Sequence, residues 1–521
     1  MIKRVVASSG VGGYQNYRIP ALATTLSGRL LAIYDGRPDV DDLPGPVDLV
    51  MRTSDDNGLT WSPQRVLRTG PGISGFGDAS IVVDPGVGEC GRVLVFVMAT
   101  QLAGFFESVE GVAEDDPQVG HVEVSVSDDN GEHWTHRRIT AQVKEPGVVG
   151  IFAASGMGTA VTAGPYAGRL LQPFVLRTEE GIVAGLATSD DHGITWTMRG
   201  RIPGGNESAV AALADGSVLV HSRATPYRLV ARSTDGGATF TRIGPDRALP
   251  DPSDNGGLAL LADGSVVCSH NHDSDLRRRT AVKRSTDGGR TWPAAVLLEA
   301  GSSAYSTVCG LRDGSVGVLY ERSGYAEIVF GRVELSEFTP TDRVVPTEAA
   351  SDGIEFTVAQ RLLRRASPTF EPKHLVPLGV SQDWPHSVRR EVARPGEQRQ
   401  RLIPREQLVP ALGAPDPGLR VGDELVFTGR VCNWGTRRLT DLTVQGNVAG
   451  LAAPGDLEPG ERWLFEGASY AITEGNVLAG SCEVRFELIG RLGEVAVAHQ
   501  WRQTFDLATG LPGTEISGRS S

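Results

Sequence analysis

Ser54-Asp-Asp-Asn-Gly-Leu-Thr-Trp61, Ser127-Asp-Asp-Asn-Gly-Glu-His-Trp134, Ser189-Asp-Asp-His-Gly-Ile-Thr-Trp196, Ser233-Thr-Asp-Gly-Gly-Ala-Thr-Phe240 and Ser285-Thr-Asp-Gly-Gly-Arg-Thr-Trp292 are copies of one pattern, Ser-x-Asp-x-Gly-x-Thr-Trp. The middle of the pattern is a turn: Asp accepts hydrogen bonds from nearby backbone N–H groups, and Gly supplies a positive φ. The terminal Trp or Phe is an apolar anchor that can pin the turn to its blade. Alternating residues flank the copies, as in His121-Val-Glu-Val-Ser-Val126, so each copy reads as a hairpin turn between strands. Recurrence every roughly 45 to 75 residues is the length of a propeller blade, with or without an insertion. A calcium loop also uses Asp-x-Asn-Gly, but the distal Glu and flanking helices that it needs are missing. The repeats are therefore framework, and the chemistry lies on other loops.

At 521 residues, with 65 Gly and 31 Pro, the chain predicts an all-β protein of two or three domains. Residues 1–335 carry the repeats and a dense series of strands. Residues 336–415 are rich in Pro and charge, and include the run Arg389-Arg-Glu-Val-Ala-Arg-Pro-Gly-Glu-Gln-Arg-Gln-Arg401; they read as a solvated linker. Short alternating strands return over 416–508, among them Glu424–Cys432 and Cys482–Leu488, and predict a small β-sandwich similar to immunoglobulin-like modules. Residues 509–521 read as a disordered tail.

A net charge of −13 argues against a nucleic-acid partner. No apolar run approaches the length of a membrane helix. The start, Met1-Ile-Lys-Arg-Val-Val-Ala7, has no extended apolar core, so no signal peptide is visible and the sequence leaves localisation open. The five cysteines, at 90, 268, 309, 432 and 482, have no metal-ligand spacing, and no metal is expected. Cys432 and Cys482 share the C-terminal region and could pair in an oxidising compartment.

With the turns set aside, several polar segments remain: Tyr17-Arg18-Ile19-Pro20, Arg37-Pro-Asp-Val-Asp-Asp42-Leu-Pro-Gly-Pro46, Asn206-Glu207-Ser208, Ser222-Arg223, Arg277-Arg278-Arg279, Ala304-Tyr305-Ser306-Thr307 and Leu319-Tyr-Glu321-Arg322. In this order, together with five Asp-box turns, they resemble the bacterial exo-α-sialidases (neuraminidases). The resemblance covers residues 17 to about 321. It implies a six-bladed β-propeller whose axial site lies opposite the Asp-box turns.

The resemblance also implies roles. Substrates would be sialylated oligosaccharides, glycoproteins and glycolipids, and no cofactor is needed. Arg18, Arg223 and one of Arg277-Arg278-Arg279 match the three arginines that hold the sugar's carboxylate, a task suited to a planar, permanently charged fork. Arg277 is preferred, because it lies eight residues before Ser285 and should occupy the far end of the strand that ends in that turn; Arg278 is the runner-up. Asp42 matches the general acid/base, with Asp41 as runner-up. Tyr305 otherwise reads as a core aromatic; here it matches the nucleophile, with Glu207 as its base. Glu321 matches the glutamate orienting the first arginine, and Arg37 a pocket arginine. The segment Ala153–Pro173 looks like the family's second-blade region. A departure is Val47 directly after Pro-Gly-Pro, where the family often has Asn. Retaining hydrolysis is the reaction implied; a trans-sialidase or a catalytically silent sialic-acid-binding propeller would share the motifs. The C-terminal module is a candidate binder of glycan or protein.

Overall fold

In all five Asp-box turns the Ser hydroxyl donates to Asp Oδ1 at 2.7–2.8 Å. The same hydroxyl accepts the Gly N–H at 2.8–2.9 Å. Asp Oδ1 also accepts the N–H four residues on, at 2.9 Å. Two successive residues, Asn57 (φ 55°) and Gly58 (φ 80°) in the first copy, sit in the left-handed region. The second must be Gly for a further reason: a Cβ on Gly58 would lie 2.0 Å from the Phe330 ring. The closing aromatic does not pin the turn to its own blade, as the pattern alone suggested. It packs on the preceding blade: Trp61 on Phe330 at 5.3 Å, Trp196 on Phe96 at 5.0 Å, and Trp292 on His221 at 5.6 Å between ring centroids. Each Asp box is thus a staple between blades.

The structure, a computed structural model, describes residues 1–344, 352–364, 379–380, 388–389, 418–451, 454–509 and 512–518. Six sheets of the first unit, antiparallel apart from one two-residue strand, are blades I–VI. Their innermost strands are Asn16–Thr24 (I), Gly75–Asp84 (II), Gly150–Ala153 with Thr159–Ala160 (III), Ser208–Ala212 (IV), Gly257–Leu260 (V) and Ser303–Gly310 (VI). These neighbour one another in that cyclic order, and blade VI returns to blade I, so the propeller closes. The segment after blade III's first strand crosses back, and Gly156–Met157 pairs in parallel with Ser80–Ile81 of blade II. The sequence has no sixth Asp box for a topological reason. The turn joins the third and fourth strands of a blade, but the fourth strand of blade VI is Ile2–Ser8 from the chain's start, paired with Glu327–Val333. No covalent turn exists there to carry the motif.

The C-terminal unit is a β-sandwich, and it begins inside the stretch read as linker. Ile354–Arg364 pairs along Glu424–Asn433, which pairs with Arg462–Ala471. The facing sheet runs Leu439–Gly446, Ser481–Leu492, Val495–Asp506 and Pro512–Gly518. Its last strand falls in the expected disordered tail and pairs with its neighbour instead. The alternation of Ser481–Leu492, buried on one face only, is that of a half-covered antiparallel strand. Phe427, Phe486, Trp501 and Phe505 form the core between the two sheets. Cys432 and Cys482 are both buried free thiols, so the pairing that the sequence left open is not formed. Of the Arg-rich run, residues 390–401 lie outside the described residues. Among the described residues no helix is long and apolar enough to cross a membrane, and no cluster of His, Cys, Asp and Glu could hold a metal ion.

The sandwich docks on the propeller through buried charge. Arg430 donates to Asp273 Oδ1 and Asp275 Oδ2, each at 2.7 Å, and to Glu355. Arg462 adds a bond to Asp275.

Candidate active site

The site lies at the ends of blade strands remote from the Asp boxes. Arg18, Asp78 and Tyr305 stand near the start of innermost strands, while Arg37, Arg223 and Glu321 stand at or just beyond the end of second strands. Three innermost strands slip register at the site: between Arg18 and Ala21, between Gly77 and Ser80, and between Ser303 and Ser306. An extra residue in a strand re-aims its side chains, and here it turns Arg18, Asp78 and Tyr305 toward the axis. Ile19 and Asp78 pay for this with positive φ, 57° and 58°.

Tyr305 is the hub. Its hydroxyl donates to Glu207 Oε2 at 2.6 Å and accepts from Arg223 Nη1. Arg223 Nη1 also donates to Glu207 Oε2 at 2.6 Å. The guanidinium carbons of Arg18, Arg223 and Arg277 lie 5.4, 5.7 and 5.3 Å from the Tyr305 ring centroid. Burial pushes the phenol well above its ordinary value; the Arg223 charge opposes this and Glu207 adds to it. Burial works against the charge of each guanidinium, yet acidic neighbours hold all three above the ordinary arginine value.

Glu321, fully buried, organises blade I from blade VI. It accepts from Arg18 Nε (3.0 Å) and Nη2 (3.3 Å), from the Ile19 N–H (2.8 Å) and from the Tyr305 N–H (3.1 Å). One carboxylate thus fixes both the Arg18 guanidinium and the backbone of the hub. Arg277 donates to the Tyr325 hydroxyl at 2.9 Å and pairs with Asp254 at 3.5 Å. Arg278, its neighbour, turns away: Nε donates to Asp273 at 2.7 Å, and Nη2 approaches Glu355 of the sandwich at 3.9 Å. The geometry separates the two candidates, bringing Arg277 to the axis and giving Arg278 to the docking interface.

Asp42 is on the loop after Arg37. Its Oδ1 accepts from Arg37 Nη1 at 2.5 Å and lies 3.8 Å from Arg18 Nη1, while its side chain is 66% exposed. Asp41 offers only its carbonyl to Arg37, at 3.1 Å. The sequence reading missed Asp35, Asp78 and Tyr325. Asp35 lies two residues before Arg37 on the same strand face and bonds it at 2.7 Å, a pairing that period-two alternation foreshadows. Burial raises its carboxyl to about 6 against the pull of Arg37. Asp78 donates its N–H to Asp35 Oδ1 at 3.2 Å. Burial, then repulsion from Asp35, pushes its carboxyl well above the usual range. Tyr325 lies under Arg18, whose guanidinium carbon is 4.0 Å from the ring centroid.

Residues 87–318 match the family described as a BNR repeat-like domain. The chain is similar to a sialidase of Micromonospora viridifaciens, 37% identical over 412 residues that cover 75% of this chain and 63% of that one. It is 30% identical over 347 residues to a sialidase of Bacteroides fragilis (strain YCH46), covering 62% of each. Among solved structures it is similar to a Hadza microbial sialidase, with 29% identity, 65% of this chain and 69% of that chain covered, and a TM-score of 0.59. The chain therefore spans under two thirds of the length of these curated relatives. The resemblance to sialidases carried by the motifs is borne out by these similarities.

Proposed function

We propose that this protein is a retaining exo-α-sialidase acting on terminal sialic acids of glycoconjugates. The observation that carries the reading is the Tyr305 hydroxyl bonded to Glu207 inside a ring of three arginines. A phenol whose ionisation is suppressed by burial is a poor nucleophile until a base receives its proton, and Glu207 is 2.6 Å away. Arg18, Arg223 and Arg277 form a site for one carboxylate, the group that sialic acids carry on the anomeric carbon.

That carboxylate explains the choice of nucleophile. A carboxylate side chain would approach a like charge, whereas a neutral phenol attacks without repulsion. Tyr305 Oη forms a bond to the anomeric carbon as its proton passes to Glu207. The glycosidic C–O bond breaks, and Asp42 protonates the leaving oxygen. Asp42 then takes a proton from water, the water oxygen replaces Tyr305 at the same carbon, and Glu207 returns the proton to the phenol. Two displacements retain configuration. Arg37 holds Asp42, and Asp35 holds Arg37.

The test is hydrolysis of a fluorogenic aryl sialoside, with proton NMR of the first product. Release of the α-anomer of free sialic acid supports the reading. A folded protein that releases no sialic acid, or releases the β-anomer first, overturns it. A transferase would instead yield an anhydro sugar or a new glycoside in the same spectra.

A further inference from the structure

The sandwich reaches into the site through one strand. Ile354–Arg364 pairs in register with Glu424–Asn433 except between Gln360 and Leu362, where the ladder slips. The residue at the slip is Arg361, and the bulge re-aims its side chain off the sandwich toward the propeller. Its Nη1 donates to the hydroxyl of Tyr325.

Tyr325 is an unusual residue to find there. It lies in the turn between the second and third strands of blade VI, is 7% exposed, and has φ 67°. A bulky side chain in that region is strained and persists only where its surroundings fix it. The sandwich strand supplies part of the fixing. The Leu363 N–H donates to Gly324 O at 2.9 Å, and Ser302 Oγ donates to Gln360 O while accepting the Gly324 N–H at 3.3 Å. Leu362 and Val426 of the sandwich cluster with Ala304, Tyr325 and Val40, so the same strand abuts the neighbour of Tyr305 and the loop of Asp42. The crevice between the turn and Arg361 is too narrow to admit a water molecule.

What Tyr325 touches on its other side is the clamp. Arg18 stacks on its ring at 4.0 Å, and Arg277 donates to its hydroxyl at 2.9 Å. One phenol thus sets two of the three arginines, from blades I and V, and is itself set by a residue beyond the propeller.

We propose that Arg361 is a positioning residue of the carboxylate clamp, acting through Tyr325 on Arg18 and Arg277, so that the C-terminal sandwich completes the active site. This rests on the sialidase reading for the substrate, but the geometry asks only that the clamp bind a carboxylate.

The test uses the full chain and four proteins: wild type, Arg361→Met, Tyr325→Phe and the double variant. Two quantities are read: the kcat and KM of aryl sialoside turnover, and the Kd of 2,3-unsaturated sialic acid by calorimetry. A charge-assisted bond acting through one intermediary predicts that each single variant raises KM and Kd by about 5- to 20-fold with kcat within about 3-fold. The double variant should be no worse than the worse single, because both remove the same link. Arg361→Lys, which keeps a donor, should recover at least part of the loss. Unchanged KM and Kd in Arg361→Met would overturn the proposal. So would a double variant whose losses multiply, which marks a structural effect independent of Tyr325. If Arg361→Met is too unstable to assay, Tyr325→Phe and Arg361→Lys decide alone: wild-type Kd in Tyr325→Phe overturns the proposal. A wild type that binds the inhibitor but turns nothing over fails the hydrolase reading while leaving this one standing.

Discussion

Tyr305 and Glu207 lie 98 residues apart and come from blades VI and IV, yet the phenol donates to the carboxylate across 2.6 Å. In the proposed mechanism that pair makes a base-assisted nucleophile out of two residues with no sequence relationship. Glu207→Gln keeps the shape and removes the proton acceptor. It should lower kcat by about 10²–10⁴-fold with little change in the Kd of a carboxylate inhibitor. Steady-state kinetics with an aryl sialoside, paired with calorimetry, read both.

Alkaline pH should not rescue that variant. An unperturbed phenol, ordinarily near 10, would become about tenfold more ionised for each pH unit on the way up to that value. Burial holds the Tyr305 phenol well above 10, so its phenolate stays scarce throughout that range. Any activity that the phenolate supplies in Glu207→Gln should therefore stay far below the wild-type kcat and climb with pH without levelling off near pH 10. A plateau near pH 10 at a kcat close to that of the wild type would show a phenol that ionises freely and needs no base.

Arg277 and Arg278, adjacent in sequence, should behave as residues of two different machines. Arg277→Ala should cost about 10- to 100-fold in kcat/KM, the value of one charge-assisted contact to the substrate. Arg278→Ala should leave kcat/KM nearly unchanged and lower Tm. Its stability cost should fall below the about 3–5 kcal/mol of a broken buried pair, because Arg430 still neutralises Asp273.

Asp287→Ala removes a carboxylate that accepts the N–H groups of Arg290 and Thr291 and the hydroxyls of Ser285 and Thr291. It should lower stability by about 1–3 kcal/mol and leave KM unaffected, since the turn lies at the far end of blade V. Thermal unfolding alongside kinetics checks this. A change in KM would place the Asp boxes in the site.

Thiol counting tests the C-terminal core. Burial pushes Cys268, Cys309 and Cys432 up to about 12 and Cys482 to about 11, so all four are un-ionised thiols at mildly alkaline pH. Only partly exposed Cys90 should react quickly with a disulfide reagent in the native protein. Denaturant without reductant should expose all five. Three would mean that Cys432 and Cys482 had paired.

The fold was legible where the chain repeats itself. Each Asp box is a local turn whose hydrogen bonds close within eight residues, so its sequence states its structure. What the pattern could not state was non-local: that Trp61 packs on blade VI, and that blade VI has no box because Ile2–Ser8 completes it. Arg18, Asp42, Glu207, Arg223, Arg277, Tyr305 and Glu321 could be named from motif order, and the geometry brings them together. Asp78 left no pattern, since its place depends on a bulge that shows only as a register slip between paired strands. Arg361 was hidden further, in a stretch read as linker. Its strand pairs with Glu424–Asn433, about 60 residues on, and nothing near it in sequence announces that partner.

Asp42 should show its role through the leaving group. An aryl oxide needs little protonation, whereas a sugar alkoxide needs much. Asp42→Ala should therefore lose far more activity on a sialyl oligosaccharide than on an aryl sialoside, by a ratio of about 10²-fold or more. Equal losses on the two substrates would assign Asp42 to binding alone.

The covalent step is the centre of the account, and a slow substrate reads it most directly. A 3-fluoro-sialosyl fluoride has a good leaving group and a fluorine that slows the second displacement. Incubation, proteolysis and mass spectrometry should find one fluorosialosyl adduct, on the peptide containing Tyr305, with fragmentation placing it on the phenol oxygen; Tyr305→Phe should show none. An adduct on Asp42 or Glu207, or none on an enzyme that still turns over aryl sialosides with retention, would contradict the account.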